Sequence, residues 1–401
     1  MRNNYKERSR SILWLHLGFV LTGIGTTLFG CILPTLNTTW HMNDARAGVL
    51  FAAQFSGSAL GALLVGSNIF ASVMRGYLLL IASAVSITFF ANFFPLFFFF
   101  ALGLGLGLAM TATSLLISSK FIGKRGAALS LLNVSWGVGA AVPAMIVSVW
   151  IKRWPPVYLF LALAGASAIV LVLIGQHRNF LSASGINPPQ ITNAAKPSRL
   201  VFIFAVLAFL YVGVESSVSG WMMTYVHRLP ISSMLWASIA TSCFWVALLC
   251  GRAIAPSVLN WTSETQLLTY SLVIAFVSII LLLLNQNPFG ITLSAIFVGL
   301  SLAPVFPLCL ARALALMNDS PKVKWVFATA GFGGAALPWM TGRLSAYSGS
   351  LRTGLVIPVL ALATMMILYW LVLRGTNAAT ENVPHSSKLP GPLSAASSPN
   401  D

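Results

Sequence analysis

Residues 154–227 read WPPVYLFLALAGASAIVLVLIGQHRNFLSASGINPPQITNAAKPSRLVFIFAVLAFLYVGVESSVSGWMMTYVH. Two apolar runs flank a polar stretch. Residues 154–177 carry no Asp, Glu, Lys or Arg, and residues 200–227 carry only Glu215. Each run is long enough to cross a bilayer, which takes roughly 20 apolar residues. Between them, residues 176–198 hold Gln176, His177, Arg178, Pro188, Pro189, Asn193 and Lys196. So polar and proline-rich a backbone finds no partners in hydrocarbon. The stretch therefore reads as crossing, aqueous linker, crossing.

The same test extends to both ends of the chain. Residues 11–43, 47–74, 126–151, 229–251, 325–342 and 353–373 are also free of charge, and each fits one crossing. Residues 76–119 and 265–311 each fit two, with breaks near Pro95 and near Asn285–Pro288. The total is twelve, six on either side of the linker. Composition agrees, since 57% of the 401 residues are hydrophobic and 7% charged, against about 25% charged in a soluble domain. The expected fold is an all-α membrane protein of twelve transmembrane helices in two pseudo-symmetric six-helix bundles. The expected parts are an N-terminal bundle (1–175), a cytoplasmic linker (176–198), a C-terminal bundle (199–375) and a disordered cytoplasmic tail (376–401) rich in Ser, Pro, Asn and Ala.

The basic residues orient the chain. With an even number of crossings, both termini share a side. If that side is cytoplasmic, 17 Lys and Arg lie inside and 6 outside, as the positive-inside rule requires. The net charge of +16 thus records topology. Nucleic-acid binding is a poor reading, because the charges are scattered over loops. The apolar stretch after Arg10 is longer than a signal-peptide core and lacks a small-residue cleavage pattern, so it is expected to be the first crossing. Cys31, Cys243, Cys250 and Cys309 lie in predicted crossings without CxxC spacing and read as small buried hydrophobes. The membrane is expected to be an inner or plasma membrane, and the chain is expected to act as a monomer.

The halves repeat. Gly139-Ala140-Ala141-Val142-Pro143 matches Gly334-Ala335-Ala336-Leu337-Pro338, and Gly18 and Gly25 match Gly213 and Gly220 at the same offset of 195. A parallel repeat of this kind places a site near the bilayer midplane between the halves. Small residues crowd several crossings, including Gly57 with Gly61 and Gly103 with Gly107, a spacing that favours close helix packing.

Four segments, RGAALSLLNVSWGVGA (125–140), YVGVESSVSGWMMTYVHR (211–228), GRAIAP (251–256) and GFGGAALPWMTGR (331–343), resemble the major facilitator superfamily, and within it the fucose-permease-like sugar transporters. The resemblance covers nearly the whole chain outside the tail. It implies two six-helix bundles around a central cavity and transport of a small molecule. The sequence also departs from the family pattern. The loop after the second crossing, GSNIFASVMRG (66–76), lacks the usual acidic residue, and crossings one to six hold no Asp or Glu.

Candidate chemistry centres on Glu215. An intramembrane carboxylate is costly and marks a functional site by default. On a helix, Tyr211, Glu215, Ser219 and Met222 share a face. Glu215 could hydrogen-bond a solute or carry a proton; the plainer alternative is a neutral group bonded to a neighbouring helix. Asn133 offers a donor and an acceptor, and the face of Trp136 suits a sugar ring; both could equally serve helix packing. Gln54, Trp221 and Tyr225 complete the candidate set, the two aromatics also fitting an interfacial belt. Arg252 and Arg312, near predicted helix ends, are expected to snorkel to the interface.

An enzyme would need gathered nucleophiles, bases or metal ligands, and a channel would need a filter or charged rings. Neither pattern is present, and no cofactor or metal is expected. The expected function is secondary active transport of a small polar solute, a sugar, with a proton or sodium ion as the coupling partner. The alternative is efflux of amphipathic organic compounds, which the 26 Phe residues keep open.

Overall fold

The computed structural model describes residues 2–91, 93–182, 199–317 and 323–381. Most of the expected linker and the end of the expected tail lie outside these residues. The described residues form twelve long helices and no strands. In chain order they are α1 (Arg2–Thr39), α2 (Asp44–Leu63), α3 (Ile69–Phe90), α4 (Pro95–Lys120), α5 (Arg125–Trp150) and α6 (Tyr158–Gln176). The second set is α7 (Arg199–His227), α8 (Met234–Val258), α9 (Glu264–Leu284), α10 in two pieces (Pro288–Leu302 and Val305–Met317), α11 (Val323–Ser348) and α12 (Val356–Glu381).

Local chemistry sets several of the boundaries. Asn43, Asn68 and Ser233 cap α2, α3 and α8 by accepting the backbone N–H three residues on, which satisfies donors that a helix start leaves orphaned. Ser263 and Gln266 form a capping box at α9. Pro95 and Pro288 begin α4 and α10, where a missing N–H costs nothing. The expected breaks near Pro95 and Asn285–Pro288 fall at these points.

Two crossings begin earlier than their charges suggest. The expected crossing 47–74 is α2 from Asp44 to Leu63, and Arg75 lies inside α3. Arg252 likewise lies inside α8. A charge ends a crossing only when it has to reach water. Arg252, paired with Glu215, remains within its helix, whereas Arg75 is exposed in the second turn of α3.

Ten of the twelve helices are long and apolar enough to cross a membrane; α2 and α11 are the two outside that set. These two pack along each other, so protein rather than lipid covers much of their surface, and they tolerate small and polar residues. The lipid-facing perimeter is apolar in turn, with Phe93 and Phe97 on one side and Val172 and Ile367 elsewhere well exposed.

Within each set the helices pair in the same way. α1 packs on α5 and α7 on α11, α2 on α4 and α8 on α10, α3 on α6 and α9 on α12. Glycines make these contacts close. A Cβ on Gly57 or Gly61 would strike the carbonyls of Phe100 and Leu104, and one on Gly103 or Gly107 would strike those of Gln54 and Ser58. The packing also revises the expected glycine match. Gly18 faces Tyr77 and Val170, whereas Gly213 faces Leu337 and Gly333. The packing counterpart of Gly213 is Gly23, which lies against Trp136 and Ala140 of α5.

The two bundles meet through α1 with α7, α2 with α11 and α5 with α8. The end of α6 at Gln176 and the start of α7 at Arg199 define a linker face. At the opposite face the bundles are tied together: Gly30 lies against Gly220, Gly48 against Trp339 and Gly342 against Asp44. Among the described residues, neither α4 nor α10 packs on the other bundle to a comparable extent. Among the same residues, the glycine contacts close the bundles together at the opposite face.

Candidate functional site: a cavity between the bundles

A cavity of about 310 Å³ lies at the bundle interface, at the small end of the roughly 300–1,000 Å³ usual for small-molecule sites. Its polar lining comes from both bundles. α1 contributes Thr26 and Thr27, α5 contributes Asn133, and α7 and α8 contribute Glu215, Ser219 and Arg252. Phe51, Phe55, Met110 and Phe306 make the apolar part of the wall.

Glu215 and Arg252 form an ion pair, with Arg252 Nη2 3.6 Å from Glu215 Oε2. The same nitrogen donates to the Tyr211 hydroxyl at 3.4 Å. Tyr211 is fully buried and stacks on Phe306 with centroids 5.5 Å apart. Phe306 is held there by the interruption of α10 at Ala303–Pro304, which turns Phe306 and Pro307 to the cavity. A broken helix is tolerated at membrane depth where it lines a cavity. Close approach of Gly251 to the Leu300 carbonyl and the Ala303 side chain seats α8 against this break, one residue before Arg252.

The candidate residues separate into two groups. Glu215, Asn133, Trp136 and Tyr211 all line the cavity. Gln54, Trp221 and Tyr225 do not. Gln54 is buried and donates to the carbonyls of Gly25 and Thr26, tying α2 to α1. Trp221 donates to the Pro338 carbonyl at 3.1 Å and packs on Phe51, between the cavity and the opposite face. Tyr225 donates to the Leu283 carbonyl at 3.4 Å, tying α7 to α9. Arg252 is a correction, since it faces the cavity rather than snorkelling. Arg312 lies elsewhere, donating to Glu264, Thr265 and Tyr369 within the C-terminal bundle. Cys250 is exposed, unlike the buried Cys31 and Cys309.

Sequence reasoning missed a second charged cluster. Asp44, at the first turn of α2, accepts from both terminal nitrogens of Arg228 at 2.6 and 2.7 Å and from the Ser345 hydroxyl at 2.6 Å. This joins α2 to the end of α7 and to α11, across the bundle boundary at the opposite face. The carboxylate also sits at a helix N-terminus, where the helix dipole favours it. Trp245 was missed as well. It lines the cavity from α8 and meets Trp136 edge-on, with centroids 5.3 Å apart. Among the described residues, no three His, Cys, Asp or Glu side chains gather as a metal site.

Two helical bundles about a largely apolar cavity with polar groups from both, closed over at one face, define a membrane carrier. The chain belongs to the Major Facilitator Superfamily, whose family model matches residues 15–321; it is a multi-pass membrane transporter and not an enzyme. Among curated proteins it is 22% identical over 376 residues to "Bypass of stop codon protein 6" of Saccharomyces cerevisiae, covering 82% of this chain and 75% of that one. It is 27% identical over 149 residues to the glucose/mannose transporter GlcP of Bacillus subtilis, a match spanning 37% of either chain. Among solved structures, a peptide transporter POT in complex with sulfate is 13% identical with a TM-score of 0.73, covering 92% of this chain and 94% of that one. A D-xylose-proton symporter is 16% identical with a TM-score of 0.68, covering 89% and 96%. At such identities the structural likeness is one of fold.

Proposed function

We propose that this chain is a secondary active transporter that moves a small neutral polar solute, a sugar, by alternating access. The carrying observation is the Glu215–Arg252 pair inside the cavity. An unpaired cavity Arg would favour an anionic solute, but here the charge is balanced within the site. What remains for a ligand is hydroxyl, amide and indole chemistry beside aromatic walls, which suits a polyol ring better than an amphipathic cation. The small cavity volume supports the same reading, as does the glucose/mannose transporter among the similar proteins.

Asn133, Trp136, Tyr211 and Glu215 form the substrate-facing set in this proposal, and Gln54, Trp221 and Tyr225 support its walls. Glu215 is also the coupling residue. Its protonation would release Arg252, and its deprotonation would restore the pair. The moving bodies are residues 1–175 and 199–375, joined by the 176–198 linker. In this reading the linker face is cytoplasmic, and Asp44, Arg228 and Ser345 form the latch that closes the outer side.

The test is counterflow in proteoliposomes loaded with single sugars, run with and without a proton or sodium gradient. Saturable exchange of one or a few monosaccharides, driven by a proton gradient, is the expected result. Drive by sodium alone would overturn the coupling assignment. Transport of lipophilic cations with no sugar exchange would replace the reading by efflux.

A further inference from the structure

The cavity contains an aromatic contact between the bundles, of which only the Trp136 half belongs to the substrate-facing set. Trp136 on α5 and Trp245 on α8 come from different bundles and meet edge-to-face, with ring centroids 5.3 Å apart and planes at 79°. Both line the cavity. Trp245 is 3% exposed, and the indole N–H of each ring is buried with no hydrogen-bond partner. The Nε of Arg252, about two turns along α8 from Trp245, is in the same condition. Buried N–H groups in native proteins nearly always have partners, and an orphan calls for a physical reason. Three orphaned donors converging on one cavity, from two bundles that move against each other, point to a shared acceptor.

The seam between α5 and α8 fixes the register. The Ser242 hydroxyl donates to the Ala141 carbonyl at 2.8 Å, and Gly137 packs on the Leu249 side chain. The helices run antiparallel, so moving toward the linker face along α8 means moving backward along α5. By this register Arg252 lies level with Asn133, an amide opposite a guanidinium, while Trp245 lies level with residues 138–141, about one turn from Trp136, whose ring it meets across the seam.

We propose that Trp136 and Trp245 form a cross-bundle clamp for a sugar ring, with Trp245 and Arg252 as specificity-determining residues on the C-terminal side. The two indoles cover each other where they meet. A pyranose entering from the linker face parts them, places its apolar C–H face on one ring, and supplies hydroxyl oxygens to the orphaned indole N–H groups and to Arg252 Nε. Aromatic faces provide the apolar contact and indole N–H groups the polar one. An analogue lacking the bonded hydroxyl leaves the donor unpaired again, which is how buried polar groups generate discrimination. This inference rests on the sugar-transport reading.

The experiment pairs Trp245→Phe with deoxy analogues of the sugar that wild-type protein exchanges. Phe keeps an aromatic face but loses the N–H together with the pyrrole half of the indole, and the deoxy analogues separate the lost hydrogen bond from the lost ring area. Binding is read by competition in counterflow and by quenching of tryptophan fluorescence, in protein shown to be monodisperse. Trp245→Phe should weaken the parent sugar about fivefold to tenfold, the range expected for one lost hydrogen bond. One deoxy sugar should lose a similar factor on wild-type protein and nothing further on the variant. Trp136→Phe should show the same pattern with a different deoxy position. If wild-type protein exchanges sugars but Trp245→Phe binds the parent and every deoxy analogue as wild type does, the clamp is wrong while the transport reading stands. If wild-type protein binds no sugar, both fall together.

Discussion

At the scale of single residues, the chemistry turns on Glu215 and its neighbours. The carboxylate was legible in the sequence because it interrupts an otherwise charge-free run, and lipid gives a chain no reason to keep one. Arg252 was not legible, because a charge after an apolar run looks the same whether it marks a helix end or sits inside a longer helix. Glu215→Gln preserves shape and hydrogen bonding while removing the charge and the titratable proton. Concentrative uptake should be lost, while substrate binding and exchange persist. Transport with wild-type kinetics in both Glu215→Gln and a well-folded Glu215→Ala would leave the carboxylate without a role. The sorting of Asn133, Trp136 and Tyr211 into the cavity, and of Gln54, Trp221 and Tyr225 away from it, depended on contacts between helices far apart in the chain.

At the scale of helices, glycine spacing foretold close packing, but which glycines matter depended on the neighbour. Gly103 of α4 lies on the Gln54 carbonyl of α2, whereas Gly165 of α6 has nothing within 4 Å of where a Cβ would stand. Gly103→Ala should therefore force α2 and α4 apart and destabilise the protein by about 1–3 kcal/mol, the usual cost of overpacking. Gly165→Ala should be neutral or stabilising by up to about 1 kcal/mol through helix propensity. Thermal unfolding of the two variants in detergent tests the contrast, and equal melting temperatures would contradict the packing account. The repeat is a related case. Helix pairing confirms the internal symmetry, yet Gly23 rather than Gly18 is the counterpart of Gly213, because loops of unequal length shift the register between the halves.

At the scale of the whole molecule, the two charged clusters have different tasks. The pair at Glu215 lies in the cavity, and the one at Asp44 spans the bundles at the closed face. Asp44→Asn removes the counter-charge of Arg228 and should loosen that face. Spin labels at positions 39 and 231, on opposite bundles, should show a distance distribution shifted to longer values in Asp44→Asn. An unchanged distribution would mean that apolar packing alone holds the closure. The orientation is tested separately by reporter fusions at the two termini. Both should report a cytoplasmic location, and an external C-terminus would break the even parity on which the charge asymmetry rests.

Composition and the spacing of charges determined by themselves that the chain is a twelve-helix membrane protein with a repeated architecture. Hydrocarbon imposes one local rule on every crossing, an apolar helix of sufficient length, and that rule can be read residue by residue. The resemblance of segments such as 125–140 and 331–343 supplied the family. Only the tertiary structure decided which polar side chains face one another, because those contacts join residues such as Asp44 with Ser345 or Trp136 with Trp245, more than a hundred positions apart. Charges paired across the interior obey no local rule. They escape the cost of lipid through partners that the sequence order does not reveal.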